Sequence, residues 1–204
     1  MTDKAEDAAR HKVKMAKRKA VQDAEVAGKT LEKGLLIVNT GPGKGKSTAA
    51  FGLILRALGH GWRIGVVQFI KGAWSTGERK ALEAFGDQVS WHSMGEGFTW
   101  ETQDRARDVA AAGTAWEKAK ELIRDERNSM VLLDEINIAL RYDYLDINEV
   151  VEFLKNEKPY MTHVVLTGRN AKDELIEIAD LVTEMELIKH PFRSGIKGQP
   201  GVEF

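Results

Sequence analysis

The chain has 204 residues, of which 43% are hydrophobic and 30% charged, a composition typical of a soluble globular protein with one well-filled domain. A net charge of −1 excludes a molecule that attracts nucleic acid through its overall charge, and the lack of cysteine excludes disulfides, thiolate metal sites and cysteine-ligated iron–sulfur clusters. No apolar run approaches the roughly 20 residues of a membrane span, and the polar N-terminus has no signal-peptide core, so we expect a cytoplasmic protein without a membrane partner.

The first predicted element is a helix over residues 3–27, rich in Ala, Lys and Glu and ended by Gly28. Part of it is basic and contains no acid, with Arg10, Lys12, Lys14, Lys17, Arg18 and Lys19 in close succession. This charge run has three interpretations, namely a solvated helix, a lid that attracts anions, or an arm that binds nucleic acid. We assign residues 1–30 to a basic N-terminal arm or lid and residues 31–204 to a single α/β domain.

Beyond the arm, the chain alternates between apolar strands and amphipathic helices. The predicted strands are Leu35–Asn39, Arg63–Ile70, Val89–Ser93, Met130–Leu133, Thr162–Thr167 and Leu181–Ile188. The predicted helices are Lys46–Leu58, Glu78–Phe85, Thr102–Arg124, Ile136–Leu140, Ile147–Leu154 and Ala171–Ala179. This alternation is typical of an α/β fold with a mainly parallel sheet flanked by helices, whose ligands bind beyond the carboxyl ends of the strands.

The most informative motif lies between the first strand and the first of these helices. Its residues are Gly41, Pro42, Gly43, Lys44, Gly45, Lys46, Ser47 and Thr48. Glycine-rich backbone can close around phosphate oxygens, a helix N-terminus attracts anions, Lys46 adds a cation, and the Ser47 hydroxyl can ligate Mg²⁺. The first glycine arrives one position late compared with the usual spacing, and Pro42 lacks an N–H. A plain glycine-rich turn is the alternative, but the preceding strand and following helix favour a phosphate-binding loop.

A second motif ends the fourth predicted strand, where Asp134 and Glu135 follow an almost wholly apolar run. Carboxylates at the end of a buried strand can hold Mg²⁺ opposite a phosphate loop, whereas the alternative is a solvated acid pair in a turn. Both motifs together predict a Mg²⁺–nucleoside triphosphate site but not its reaction. Attack by water, with Glu135 polarising it, attack by an acceptor oxygen, and attack at a carbon atom all remain open.

Further stretches resemble one family, the ATP:corrinoid adenosyltransferases of the phosphate-loop type. The resemblance runs from about Val13 to Phe204, and its most specific stretches are Gln68-Phe69-Ile70-Lys71-Gly72 and Gly97-Phe98-Thr99-Trp100-Glu101-Thr102. The stretches 40–52, 59–61, 133–135, 142–145, 167–169 and 189–190 also match. The resemblance implies a RecA-like P-loop NTPase fold with an N-terminal helical arm.

The resemblance also implies the reaction. Cobalt(I) of a reduced corrinoid attacks the 5′-carbon of ATP, so that the Co–C bond of adenosylcobalamin forms and triphosphate leaves. ATP would then be held in reverse, with the ribose carbon facing the acceptor. Mg²⁺, or Mn²⁺ in its place, is the implied cofactor. The implied partners are an outside electron donor, such as a reduced flavin or flavoprotein, and a second copy of the chain in a homodimer, with no nucleic acid.

The family assigns roles to individual residues. Positions 41–48 would hold the triphosphate, with Lys44 and Lys46 as cations and Arg56 added to the nucleotide-binding set. Ser47 and Glu135 would ligate Mg²⁺, with Asp134 reaching it through water. The family usually has Asn at position 42 and Thr at position 47, so Pro42 lacks the amide side chain and the N–H of that Asn, whereas Ser47 keeps the hydroxyl.

Phe98 and Trp100 correspond to residues placed against the lower face of the corrin, where they would displace the lower cobalt ligand and make cobalt(II) easier to reduce. From the pattern alone, both could instead be core anchors. Lys46, Phe98 and Trp100 form the predicted catalytic set. Lys12, Lys14 or Lys17 of the arm would meet corrinoid side chains.

Two rival functions are a generic ATPase whose basic arm binds nucleic acid and a nucleotide-binding switch without catalysis.

Overall fold

The computed structural model of the protein describes residues 2–70, 76–94 and 104–203 and falls into two compact units, Met1–Glu32 and Lys33–Phe204. The first unit contains helix α1, Thr2–Ala27, which confirms the predicted helix. Its apolar residues Val13, Val21 and Val26 are all exposed. The helix therefore forms without a buried core of its own, as its composition of strong helix formers allows.

The second unit is built on a six-stranded sheet in which every neighbouring pair is parallel. Its strands are β1 Leu36–Thr40, β2 Ile64–Gln68, β3 Val89–Ser93, β4 Met130–Asp134, β5 His163–Thr167 and β6 Leu181–Glu184. They lie in the order β3-β2-β4-β5-β1-β6, which places β5 between the strands of the two predicted motifs. The predicted α/β class with a mainly parallel sheet is confirmed.

Helices cover both faces of this sheet. They are α2 Lys46–Gly59, α3 Gly77–Leu82, α4 Arg105–Arg124, α5 Ile136–Arg141, α6 Ile147–Asn156 and α7 Asp173–Ile178, with 3₁₀ turns at Glu83–Gln88 and Pro191–Ser194. No helix within the described ranges is both long enough and apolar enough to cross a membrane.

Within the described residues most element ends shift by one or two positions, and two predicted elements differ by more. The last strand was expected to reach Ile188 but ends at Glu184, because the chain then leaves the sheet and packs on the glycine loop, where the Gly43 N–H donates to the Met185 carbonyl. The helix expected over Glu78–Phe85 divides into α3 and a 3₁₀ turn, in which Gly86 has a positive φ of 50° that interrupts regular helix.

The core has two layers because successive strand residues point to opposite faces of the sheet. One layer packs under α2 and includes Ile37, Ile64, Val66, Leu132 and Val165. The other packs under α4, α5 and α6 and includes Val38, Val67, Val131, Leu133 and Leu166. The alternation thus decides which strand residues can face the N-terminus of α2, where the glycine loop ends.

Candidate functional site

The glycine loop connects β1 to α2 and adopts a conformation that its glycines permit. Gly41 and Gly45 have φ angles of 96° and 109°, in the left-handed region that glycine enters without steric cost. A Cβ atom on Gly43 would lie 2.4 Å from the Glu186 carbonyl oxygen, so the close approach of the two segments requires glycine there. The loop leads directly into α2, whose first N–H groups and positive dipole end attract anions.

The backbone donors of this loop are unevenly distributed. Pro42 has no N–H, and the Gly43 N–H donates to the Met185 carbonyl over 2.6 Å. The predicted loss at Pro42 therefore extends to the next residue. Because both positions contribute no free donor, an anion in the loop is left with the N–H groups nearer to α2, from Lys44 onward.

Lys46 is the buried cation of the loop, with an exposed fraction of 7%. Its Nζ donates to the carbonyl oxygens of Gly41 and Gly43 over 2.9 Å and 2.5 Å. Burial lowers the pKa of this ammonium, with Arg169 and Lys44 acting in the same direction, while the negative charge of Glu135 raises it. A desolvated cation whose hydrogen bonds go to carbonyl dipoles is well suited to bind a phosphate oxygen.

Other predicted loop residues lie nearer to solvent. Lys44 is half exposed and forms an ion pair with Glu203 from the C-terminal tail. Pro42 and Thr48 are exposed on the outer side of the loop. The tail thus supplies a carboxylate that faces Lys44.

The structure brings the two sequence motifs together through Asp134. This carboxylate is fully buried at the end of β4, and its Oδ1 accepts hydrogen bonds from the hydroxyls of Ser47 and Thr167, each over 2.8 Å. Its Oδ2 accepts from Nε2 of Gln68 over 3.0 Å. Asp134 is therefore surrounded by donors, which agrees with a carboxylate that holds Ser47 in place instead of ligating a cation directly.

Glu135, the second acid, caps α5 in a left-handed backbone conformation with φ 63°. Its N–H donates to the Thr167 hydroxyl over 2.9 Å. This conformation is costly for a residue with a side chain and is common at functional sites. Here it turns the chain directly after Asp134, while the side chain of Glu135 stays partly exposed and within electrostatic reach of Lys46.

The donor set at this edge fits Mg²⁺ by its chemistry. Ser47, Asp134 and Glu135 offer hydroxyl and carboxylate oxygens, the hard ligands that Mg²⁺ prefers. The described part of the chain contains no group of three or more His, Cys, Asp or Glu side chains able to hold a metal by themselves. Phosphate oxygens and water would therefore complete the shell, as expected for a metal that binds together with a nucleotide.

Sequence reasoning found Asp134 but overlooked the row of polar residues to which it belongs, across the carboxyl ends of five strands. In register, Ser93 pairs with Gln68, Gln68 pairs with Asp134, and Asn39 pairs with Thr167. Each lies on the α2 face of the sheet, in phase with the buried apolar residues two positions earlier. That phase is the missed signal, because a polar residue ending such a series must lie at the carboxyl edge of the sheet, on the face that α2 covers.

Of three further predicted site residues, one lies away from the glycine loop and two fall outside the described residues. Arg56 is exposed in the last turn of α2, about 14 Å along the helix axis from Ser47, so the structure does not bring it to the loop. Its nucleotide role stays a prediction. Phe98 and Trp100 lie outside the described residues.

Comparison with known proteins points to a single family. The family of ATP:corrinoid adenosyltransferases BtuR/CobO/CobP matches residues 32–204, and the N-terminal segment of cob(I)alamin adenosyltransferases matches residues 1–26.

Three relatives are each named corrinoid adenosyltransferase. The protein from Sinorhizobium sp is 74% identical over 97% of this chain and 93% of its own length. The protein from Pseudomonas aeruginosa is 52% identical over the full length of both chains. The protein from Escherichia coli K12 is 46% identical over 96% of this chain and 98% of its own.

Proposed function

Because the chain belongs to the ATP:corrinoid adenosyltransferase family, we propose that it transfers the 5′-deoxyadenosyl group of ATP to cobalt(I) of a corrinoid. As a member of this family the protein is a transferase of cobalamin metabolism whose substrates are ATP and a corrinoid. In the proposed step, an electron pair of cobalt(I) attacks the ribose 5′-carbon and forms the Co–C bond. The C–O bond to the α-phosphate breaks, and its electron pair leaves with triphosphate.

The observation that carries this proposal is the cationic glycine loop, joined to the acid motif by the Ser47–Asp134 hydrogen bond. Negative charge develops on the leaving triphosphate, and a preorganised cation and helix N-terminus stabilise that charge most. Lys46 and the first N–H groups of α2 supply both. The proposed reaction does not attack the terminal phosphorus of ATP. A loop without free N–H donors at Pro42 and Gly43 is compatible with it.

We assign the metal site to Ser47 and Glu135 as ligands, with Asp134 reaching the ion through water. Mg²⁺, or Mn²⁺ in its place, would neutralise phosphate charge when bound. The chain's own part is to hold the Ser47 hydroxyl by its proton, through the 2.8 Å bond to Asp134, which leaves the oxygen lone pairs free for a cation.

The remaining roles rest on the family. Phe98 and Trp100 would press against the lower face of the corrin and displace its lower ligand. Since the chain has no cysteine, an external donor such as a reduced flavin or flavoprotein would supply the electron that makes cobalt(I). A homodimer in the cytoplasm is the proposed setting.

A single assay tests the reaction against its rivals. The protein is incubated with ATP, Mg²⁺ and chemically reduced cobalamin, and the products are separated. We expect intact triphosphate and a light-sensitive Co–C product in equal amounts. Orthophosphate released without a corrinoid would support a generic ATPase with a nucleic-acid-binding arm, and binding without turnover would support a nucleotide switch.

A second assay tests the aromatic pair. Phe98→Ala and Trp100→Ala should impair turnover from cobalt(II) more than turnover from pre-reduced cobalt(I), because only the first requires loss of the lower ligand. Equal losses in both assays would contradict the assigned role.

A further inference from the structure

A buried amide, Gln68, lies between the acid motif and the edge of the sheet. Its exposed fraction is 1%, and Asp134 beside it is fully buried. The register pairs Gln68 with Asp134 on one side and with Ser93 on the other, so three neighbouring strands bring these side chains together. A buried amide is costly unless its polar atoms find partners, and here both the nitrogen and the oxygen have one.

The hydrogen bonds of this group run in one direction. Trp91 Nε1, which can only donate, donates to Ser93 Oγ over 3.0 Å, and Ser93 Oγ donates to Gln68 Oε1 over 3.0 Å. Gln68 Nε2 then donates to Asp134 Oδ2 over 3.0 Å. The indole N–H at one end and the carboxylate at the other thus determine which way the amide points.

The donor that starts this series of hydrogen bonds, Trp91, packs against α2. The Trp91 ring stacks on Phe51 of α2, with ring centroids 5.5 Å apart and planes 4° from parallel. Phe51 lies in α2, the helix that follows the glycine loop. The series of hydrogen bonds therefore starts at a ring packed on α2 and ends at Asp134, and both border the same site.

The effect of Gln68 reaches the metal ligand through Asp134. Oδ2 is held by the amide, while Oδ1 receives the Ser47 and Thr167 hydroxyls. Donors on both oxygens fix the plane of the carboxylate. That orientation decides whether the Ser47 hydroxyl gives its proton to Asp134 and keeps its lone pairs for a cation.

We propose that Gln68 is a positioning residue for the metal–nucleotide site, acting through Asp134 on the Ser47 hydroxyl, with Ser93 and Trp91 orienting its amide. The inference rests on the proposed binding of Mg²⁺ and ATP. It adds a polar chain that reaches from edge strand β3 to the glycine loop.

The test measures ATP binding by calorimetry, once with Mg²⁺ and once with a chelator, in the absence of corrinoid. Gln68→Met keeps the side-chain length but removes the donor, and we expect binding to weaken about tenfold with Mg²⁺ and less than about twofold without it. Ser93→Ala and Trp91→Phe should give smaller losses in the same direction, of about threefold and about twofold.

Val67→Ala is the matched control, because Val67 precedes Gln68 on the same strand and is buried on the opposite face. It should lower thermal stability without changing the ratio of the two ATP affinities. If Val67→Ala and Gln68→Met change that ratio equally, Gln68 has only a packing role and the proposal is wrong.

A double-mutant cycle with Ser47→Ala gives the sharpest result. If Gln68 acts through Ser47, Gln68→Met should add less than about twofold in the Ser47→Ala protein, whereas additive losses would overturn the proposal. If Gln68→Met does not fold, Ser93→Ala replaces it in the cycle with Ser47→Ala. Additive losses of ATP affinity in that cycle would also overturn the proposal. A wild-type protein that binds no ATP would instead refute the proposed function.

Discussion

The two ends of the parallel sheet use polar side chains in different ways. At the amino end, Lys158 donates to the carbonyls of Gly34, Pro159 and Thr162, and His163 accepts the N–H of Leu35. At the carboxyl end, Ser93, Gln68, Asp134 and Thr167 bond mainly to one another and to Ser47.

This difference separates stability from binding. At the amino end, the partners of Lys158 and His163 are backbone groups that flank the strands, so removing these side chains should cost folding free energy. At the carboxyl end, the partners are side chains that border the glycine loop, so removing one of them should also change ligand affinity. Each of the following predictions can break this separation.

The largest effect is expected at the carboxyl end, for Lys46→Ala. The buried ammonium should be the main cation facing the triphosphate, so ATP affinity should fall by at least about 100-fold. Because burial lowers the pKa of Lys46, removing this desolvated charge should largely offset the loss of its bonds to the Gly41 and Gly43 carbonyls, so the free energy of unfolding should change by less than about 1 kcal/mol. Calorimetry and urea unfolding measure the two quantities, and unchanged ATP affinity would refute the loop assignment.

The next effect concerns the amino end. Lys158→Met keeps an apolar stem but removes the donor to three carbonyl groups, and we expect a loss of about 2 kcal/mol in the free energy of unfolding. ATP affinity should remain within about twofold of wild type. Urea denaturation with an unchanged slope supports the prediction. A clear loss of ATP affinity in the folded variant would show that the two ends are coupled.

A smaller effect is expected when pH changes the protonation of His163 and with it the free energy of unfolding. Burial, and secondarily the charge of Lys158, lowers the pKa of this imidazole below its ordinary 6.5. The unfolded chain therefore binds a proton more readily, and the free energy of unfolding should decrease as pH falls from about 6.5 towards the lowered pKa. A proton on Nδ1 would also remove the acceptor of the Leu35 N–H, so that hydrogen bond would be lost. The protonated ring would still stack on Trp62.

The control for this pH effect is His163→Gln, which retains an acceptor but does not titrate. Its stability should fall less steeply than that of wild type between pH 7 and pH 5, by up to about 1 kcal/mol over the range. Parallel curves for the two proteins would exclude His163 as the source of the acid sensitivity.

The smallest effect is expected for Arg56→Ala. Because Arg56 is exposed and lies in the last turn of α2, any contact with nucleotide would be screened by water, and ATP affinity should fall by no more than about fivefold. Unchanged affinity removes Arg56 from the nucleotide set, whereas a larger loss would mean that bound ATP extends along α2.

The residues that sequence reasoning found are those whose chemistry is local. The glycine loop can be recognised from the sequence because Gly41, Gly45 and Lys46 lie within a few residues of each other and need no distant partner. Asp134 and Glu135 are visible because a buried strand ends in charge. Gln68 was read only as part of a family motif, since nothing in β2 itself shows what its amide would meet.

The sequence by itself determined the alternation of strands and helices, the glycine loop and the acid pair, because propensity, period and glycine conformation act over a few residues. Tertiary structure decided the rest. The strand order brings Ser47 to Asp134 from 87 residues away, aligns Gln68 between Asp134 and Ser93, and places the tail residue Glu203 on Lys44. The physical reason is that the period of a strand selects a face of the sheet, whereas only the packing of all the strands selects the neighbours on that face.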